Sequence, residues 1–180
     1  GKTGRLTLRV TRTVITTLPS TPTRIDRASL MPRMSFEFWD AARSTPAERT
    51  VEVSFRGSVG AEARYQVGAF GGLMREVSPG LYAASFVVPA GQKLNSTPIT
   101  FSLIGPDRRK VTATAVGRVS STQTGPRLGV QKPETVRGAA INEATVVLTN
   151  LKGEPLLYPR NGSLFTLVGR QGYDFKVRLA

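Results

Sequence analysis

The chain has 180 residues, of which 39% are hydrophobic, and it carries a formal net charge of +13. It contains no cysteine and no histidine, which excludes disulfides, thiolate metal sites and mechanisms that need a histidine base. No apolar run approaches the roughly 20 residues of a membrane-spanning helix. No charged and apolar leader opens the chain, so we expect a signal peptide to be absent or already removed.

Residues 1–23 predict one long strand or two short ones. Leu6, Leu8 and Val10 alternate with polar residues, which is the pattern of a strand with one buried face. Residues 18–23 then combine two prolines with serine and threonine, a composition typical of a linker or of an edge crossing. The strands belong either to the domain that follows or to a preceding one.

Residues 24–120 predict an antiparallel β-sandwich that is nearly free of helix. Hydrophobic residues alternate with polar ones in short runs, and turns separate the runs at the spacing expected of a sandwich. No window in this region holds a helical stripe. The predicted strands cover 34–38, 51–55, 63–67, 82–88, 99–103 and 111–119.

The centre of this pattern is 73–88, where Pro79 and Gly80 form a turn directly before a strand. Tyr82 follows on the inward face. It is either a tyrosine corner, whose hydroxyl ties the turn to the strand, or an ordinary core tyrosine. Trp39, the only tryptophan, is either an aromatic at the core edge or a platform on which a sugar ring stacks. We assign structural roles to these four residues.

A change of composition divides the chain after the sandwich. Residues 121–130 are rich in serine, threonine and glycine, which is typical of an interdomain linker. Residues 131–180 then contain short strands separated by glycine turns, and these indicate a small β-barrel. The sequence therefore predicts an all-β protein with a sandwich followed by a barrel.

Two stretches resemble modules of bacterial proteins. The segment 73–88, with the strand 51–57 before it and a hairpin ending in Gly105 after it, is similar to immunoglobulin-like β-sandwiches of envelope proteins. The turn 150–154 and the hairpin 167–179 resemble bacterial Src-homology-3-like domains, in which a Leu-x-Lys-Gly turn precedes a Gly-Arg-x-Gly hairpin. Together they resemble the non-catalytic N-terminal region of N-acetylmuramoyl-L-alanine amidases, which cut peptide stems from peptidoglycan.

This resemblance implies a location and a partner. The protein would lie in the bacterial cell envelope, periplasmic or extracellular, and would bind peptidoglycan or another anionic wall polymer while it positions a catalytic domain. The amidases bind zinc through histidines and a glutamate, and this chain has no histidine. We therefore expect this chain to have no catalytic residue, no metal site and no cofactor.

Basic and aromatic side chains supply the candidate ligand-binding residues. The first group follows a Pro-Asp turn and is either an anion site or a solubilising hairpin tip; it consists of Arg108, Arg109 and Lys110. The second group lies in the closing hairpin and forms the candidate groove for peptide or glycan; it consists of Arg170, Tyr173, Phe175 and Arg178. Strand packing is the alternative role of Phe175.

Two further classes of function fit the same composition. The high positive charge and the excess of arginine over lysine also suit a basic β-protein that binds nucleic acid. A structural spacer or assembly module, whose strand edges pair with neighbouring chains, is the third class. Salt-dependent nucleic-acid binding and concentration-dependent self-association are the observations that separate these classes.

Overall fold

A computed structural model describes residues 21–131, 134–136, 139–141, 147–150, 152–160 and 162–178. Strands dominate these residues and confirm the predicted all-β class, and their helical content is one 3₁₀ turn at Ala47–Arg49. The strands predicted within residues 1–20 lie outside the described residues. The strands are β1 Ile25–Met31, β2 Phe36–Phe38, β3 Thr50–Gly57, β4 Glu62–Val67, β5 Phe70–Ser78, β6 Leu81–Val87, β7 Leu94–Ile104, β8 Lys110–Ser121, β9 Arg127–Val130, β10 Glu134–Val136, β11 Ala139–Ile141, β12 Leu148–Thr149, β13 Pro155–Leu157, β14 Leu164–Gln171 and β15 Asp174–Arg178.

One large sheet curls over to make two facing layers. Its strand order is β1-β3-β6-β5-β4-β7-β8-β2-β14-β15. Strand β5 turns the corner, because residues 70–74 pair with β4 and residues 75–78 pair with β6. The layer β1-β3-β6-β5 therefore faces the layer β4-β7-β8, and Phe55 of β3 packs on Phe101 of β7 with ring centroids 5.2 Å apart.

The core lies between these layers because hydrophobic residues alternate along the central strands. Side chains at successive positions of a strand point to opposite faces, so every second residue points inward. Burying them removes apolar surface from water, which is the main favourable contribution to folding. The inward residues of β3 and β7 are each at most 2% exposed, namely Val51, Val53, Phe55, Ile99, Phe101 and Leu103.

Tyr82 of β6 holds a neighbouring turn and not its own. Its ring is 1% exposed, and its hydroxyl donates to the Ser58 carbonyl at 2.7 Å and accepts from the Ala61 amide at 3.0 Å. Both partners lie between β3 and β4, so the tyrosine-corner alternative, in which the hydroxyl ties the 79–80 turn, is wrong. That turn is present as predicted, with Gly80 at a φ of 73°.

Strand β2 connects the two halves of the chain. It pairs in parallel with β8, where Phe36 lies opposite Val119, and antiparallel with β14, where Phe38 lies opposite Gly169. Residues 127–130, inside the segment that we predicted to be a linker, form β9 and pair with β14. Strands of the C-terminal half therefore extend the sheet of the sandwich.

The other described strands of the C-terminal half form antiparallel pairs. Strands β10 and β11 pair with each other, as do β12 and β13, and β15 pairs with β14. The glycine turn predicted at 150–154 is present, with Gly153 at a φ of 84°, and the hairpin predicted within 167–179 turns at Gly172, which has a φ of 59°. Closure of residues 131–180 into a barrel, and the division of the chain into two domains, stay predictions.

Candidate functional site

The predicted ligand-binding residues lie in two places. Arg108 and Arg109 lie in the turn between β7 and β8, and Lys110 follows them as the first residue of β8. All three are exposed, as the Pro-Asp signal predicts. The other four residues lie on β14, on β15 and in the turn between them. The two places differ in whether their cations already have partners.

Backbone hydrogen bonds hold the 105–110 turn in one conformation. The Gly105 amide donates to the Arg109 carbonyl at 3.1 Å, and the Arg108 amide donates to the Gly105 carbonyl at 2.9 Å. Arg108 has a φ of 60°, in the left-handed region that residues with side chains adopt infrequently. The turn thus presents three consecutive cations from a fixed backbone.

Asp107 anchors this turn to the chain before β1. The Thr23 amide donates to Oδ2 at 3.2 Å, and the Thr23 hydroxyl donates to Oδ1. The hydrogen bond from this hydroxyl is the main reason that the pKa of Asp107 lies below its ordinary value. Arg109 Nε is 4.0 Å from Oδ2, and the Arg109 side chain is 74% exposed. Such an exposed pair is weak, so Arg109 can still attract an external anion.

Lys110 also borders a groove on the outer face of β4, β7 and β8. The groove has a volume of about 430 Å³, which lies in the range of small-molecule sites. Sequence reasoning missed this groove, although its signal, polar residues at the outward positions of three strands, is present. Its polar lining comprises Arg64, Gln66, Thr100, Ser102, Lys110 and Thr112.

At the second place, Arg170 is committed to an ion pair. Its Nη2 atom donates to Oε1 of Glu37 on β2, and the Trp39 indole donates to the other oxygen of Glu37 at 3.0 Å. Burial is the largest single influence and pushes the pKa of Glu37 upward, while the two hydrogen bonds push it downward. With the charges of Arg170 and Arg127 added, the pKa of Glu37 lies below its ordinary value.

Trp39 is a core-edge aromatic. It is 5% exposed, Phe175 packs against it with ring centroids 6.2 Å apart, and the Arg127 guanidinium lies 4.1 Å from its ring centroid. An indole that is 5% exposed has no open face on which a sugar ring could stack, so the platform alternative is wrong. The structural role that the sequence assigns to Trp39 is the one that the contacts indicate.

Arg178 also forms an ion pair, whereas Tyr173 is exposed to solvent. Arg178 Nη1 donates to Oδ2 of Asp40 at 3.0 Å, and the Asp40 side chain is only 6% exposed. Tyr173 is 94% exposed in the β14–β15 turn, while Phe175 is 53% exposed beside Trp39. Arg170, Phe175 and Arg178 thus join the hairpin to β2 and the chain after it. Ligand binding at this hairpin stays a prediction.

Comparisons with known proteins give no relative. No protein-family model matches the chain, and neither a curated protein nor a solved structure matches it. In the described residues no helix is long and apolar enough to cross a membrane. The same part of the chain holds no cluster of three metal-ligating side chains among aspartate and glutamate. Fold and site therefore define a basic all-β protein.

Proposed function

We propose that the chain is a non-catalytic binding module that holds its parent protein on an anionic polymer of the bacterial cell envelope. The observation that carries this proposal is the turn of Arg108, Arg109 and Lys110. Its three cations are exposed on a backbone that hydrogen bonds hold in place. Because these hydrogen bonds stabilise the backbone of the turn, less backbone conformational entropy should be lost on binding.

The strand order supports an immunoglobulin-like module. In the constant-type immunoglobulin sandwich, strands A, B, E and D form one sheet and C, F and G form the other. Here the layers β1-β3-β6-β5 and β4-β7-β8 follow this order, with β2 added in parallel to β8. Together with the Src-homology-3-like pattern of 150–179, it supports our proposal that the parent protein is an N-acetylmuramoyl-L-alanine amidase, which the module positions on peptidoglycan.

The exposed aromatic residues favour a wall polymer over nucleic acid. Proteins that bind single strands combine cations with aromatic side chains on which the bases stack. In the described residues the exposed aromatics are Tyr158, Tyr173 and Phe175, and none of them belongs to β7, β8 or the turn between these strands. The cationic turn therefore suits carboxylates and phosphates of a flexible polymer better than stacked bases.

Pelleting with isolated cell-wall sacculi tests this proposal. We expect the protein to pellet at low ionic strength and to be released at high salt, because exposed charges are screened within about 10 Å at 0.1 M salt. The triple variant Arg108→Ala, Arg109→Ala and Lys110→Ala should lose most of the pelleting.

The matched control removes three exposed cations from the other layer, with the substitutions Arg27→Ala, Arg56→Ala and Arg75→Ala. This control should pellet like the wild type. Equal loss in both triple variants would show that net charge and not the turn is responsible. Duplex DNA that binds the protein more tightly than sacculi do at the same salt concentration would favour the nucleic-acid class instead.

A further inference from the structure

We infer that the groove on the outer face of β4, β7 and β8 is a binding site for a short glycan that carries one carboxylate. Three strands place their outward side chains in register around the groove. It touches the cationic turn at Lys110, which belongs to both features.

The registers of the three strands define the walls of the groove. Arg64 of β4 lies opposite Ser102 of β7, and Ser102 lies opposite Thr112 of β8. One row along, Gln66 lies opposite Thr100, and Lys110 starts β8 on the other side of Thr112. Neighbouring strands are about 4.8 Å apart, so a row across three strands spans roughly 10 Å.

Gly71 keeps the β5 side of the groove open, and the adjacent Gly72 faces the opposite side of the sheet, toward the Tyr65 ring. Gly71 pairs with Gln66, and Gly72 pairs with Tyr65. A Cβ atom on Gly71 would lie 2.6 Å from Gln66 Oε1, and one on Gly72 would lie 2.9 Å from the Tyr65 hydroxyl oxygen. Glycine within a strand often marks a place where a ligand approaches the backbone closely. Here the missing side chain of Gly71 leaves the Gln66 amide uncovered at the edge of the groove, while Tyr65 points to the opposite face of β4 and packs on Phe86.

The polar groups of the groove match a ligand with many hydroxyls. Serine and threonine hydroxyls both donate and accept, and Thr100, Ser102 and Thr112 bring three of them together. Gln66 uses its Nε2 atom on the Gly68 carbonyl at 2.8 Å, which leaves the carbonyl oxygen of its amide facing Gly71 as an acceptor. A sugar ring carries donors and acceptors of this kind around its whole rim.

The charges of the groove indicate one carboxylate on the ligand and not several. Arg64 Nε is 2.8 Å from Oε1 of Glu62, so this cation is partly neutralised. Lys110 belongs to none of the ion pairs among the described residues. A phosphate-rich ligand calls for several convergent cations or a bidentate arginine, and this groove offers one unpaired lysine beside neutral hydroxyls.

The test uses three small compounds and the full chain. The compounds are the disaccharide of N-acetylglucosamine and N-acetylmuramic acid, with one carboxylate, its uncharged counterpart N,N′-diacetylchitobiose, and inorganic phosphate. Chemical shifts of backbone amides report binding and its place. We expect the acidic disaccharide to shift amides of β4, β7 and β8 and the neutral one to bind at least fivefold more weakly. Phosphate should shift amides of the 105–110 turn but leave those of Arg64, Ser102 and Thr112 unchanged.

Substitutions on β8 distinguish binding in the groove from binding elsewhere on the same face. Thr112→Trp fills the groove from the exposed face of β8 and should weaken binding of the acidic disaccharide at least tenfold. Val116→Trp places the same side chain on the same strand and face, at a residue that is 75% exposed and outside the lining, and should bind like the wild type. Lys110→Gln should remove the preference for the acidic over the neutral disaccharide. Equal weakening by both tryptophan variants would overturn the inference.

The inference rests on the proposed function for the source of its ligand, which is wall glycan. Different experimental outcomes would refute the groove and the wall attachment. A protein that pellets with sacculi yet shows no amide shifts with the acidic disaccharide refutes the groove alone. A protein that binds the disaccharide in the groove yet stays in the supernatant with sacculi refutes the wall attachment alone. Shifts by the disaccharide that map to β14 and β15 instead would also overturn the groove assignment.

Discussion

The Arg127 guanidinium lies over the Trp39 ring, 4.1 Å from its centroid, and this contact joins β9 to the residue that follows β2. The two residues are 88 positions apart in the sequence. The Trp39 indole N–H donates to Glu37, which also binds Arg170. One buried tryptophan thus connects a sandwich strand with two strands of the C-terminal half.

Truncating Arg127 should weaken this connection. A cation–π contact at a partly exposed site contributes about 0.5–1 kcal/mol, so Arg127→Ala should lower the free energy of unfolding by about 1 kcal/mol. Because Trp39 is the only tryptophan, its fluorescence reports the site directly, and we expect the emission of the folded variant to shift to longer wavelength. Urea unfolding with Arg75→Ala, an exposed arginine of β5, is the control. An unchanged emission spectrum would contradict the contact.

Removing the Tyr82 hydroxyl should destabilise the turn between β3 and β4. Tyr82→Phe leaves the Ser58 carbonyl and the Ala61 amide without the partner they share. Both groups are only half-buried, so losing these hydrogen bonds should cost about 1 kcal/mol. Thermal unfolding measures the loss, and hydrogen exchange should accelerate at the Ala61 amide first. Tyr173→Phe, at a 94% exposed residue, should change neither quantity, and a similar loss in both variants would contradict the role of Tyr82.

Local patterns predicted much of the sandwich. The alternation in 51–55 and 99–103 identified the inward residues of β3 and β7, because neighbouring residues of a half-buried strand alternate between apolar and polar. The Pro79–Gly80 signal identified the turn before β6 for a similar reason. Strand β2 has only three residues, and its partners β8 and β14 lie far along the chain. Nothing within Phe36–Phe38 itself indicates which strands it joins.

Local patterns also explain which properties of the site residues could be predicted and which could not. Exposure of Arg108, Arg109 and Lys110 follows from the turn that carries them, so the sequence predicts it. The partners of Arg170 and Arg178 are 133 and 138 positions away, and no local pattern shows that these cations are already paired. The groove was missed for the same reason, because Arg64, Ser102 and Thr112 become neighbours only through strand order.

Acid should weaken the junction through Glu37. Its pKa is below the ordinary value of 4.5 in the folded protein, so the folded state favours the ionised form. The contribution of Glu37 to stability is therefore complete above about pH 4.5 and is lost as the pH falls through the lower pKa of the folded state. Glu37→Gln should flatten the stability profile between about pH 5 and 3. Glu52→Gln, on the exposed side of β3, is the control and should keep the wild-type slope.

Gly169 tests whether the C-terminal hairpin depends on its contact with β2. Strand β14 passes so close to β2 that a Cβ atom on Gly169 would overlap the Glu37 carbonyl oxygen. Gly169→Ala should therefore push the strands apart and cost about 1–3 kcal/mol, as overpacking does. Gly91→Ala is the matched control, because a Cβ atom there meets nothing within 4 Å. Hydrogen exchange should show faster opening of β14 and β15 while the amides of β3 and β7 stay protected. Equal acceleration in both halves would instead mean that the sheet opens as one unit, and no acceleration would mean that β14 does not need β2.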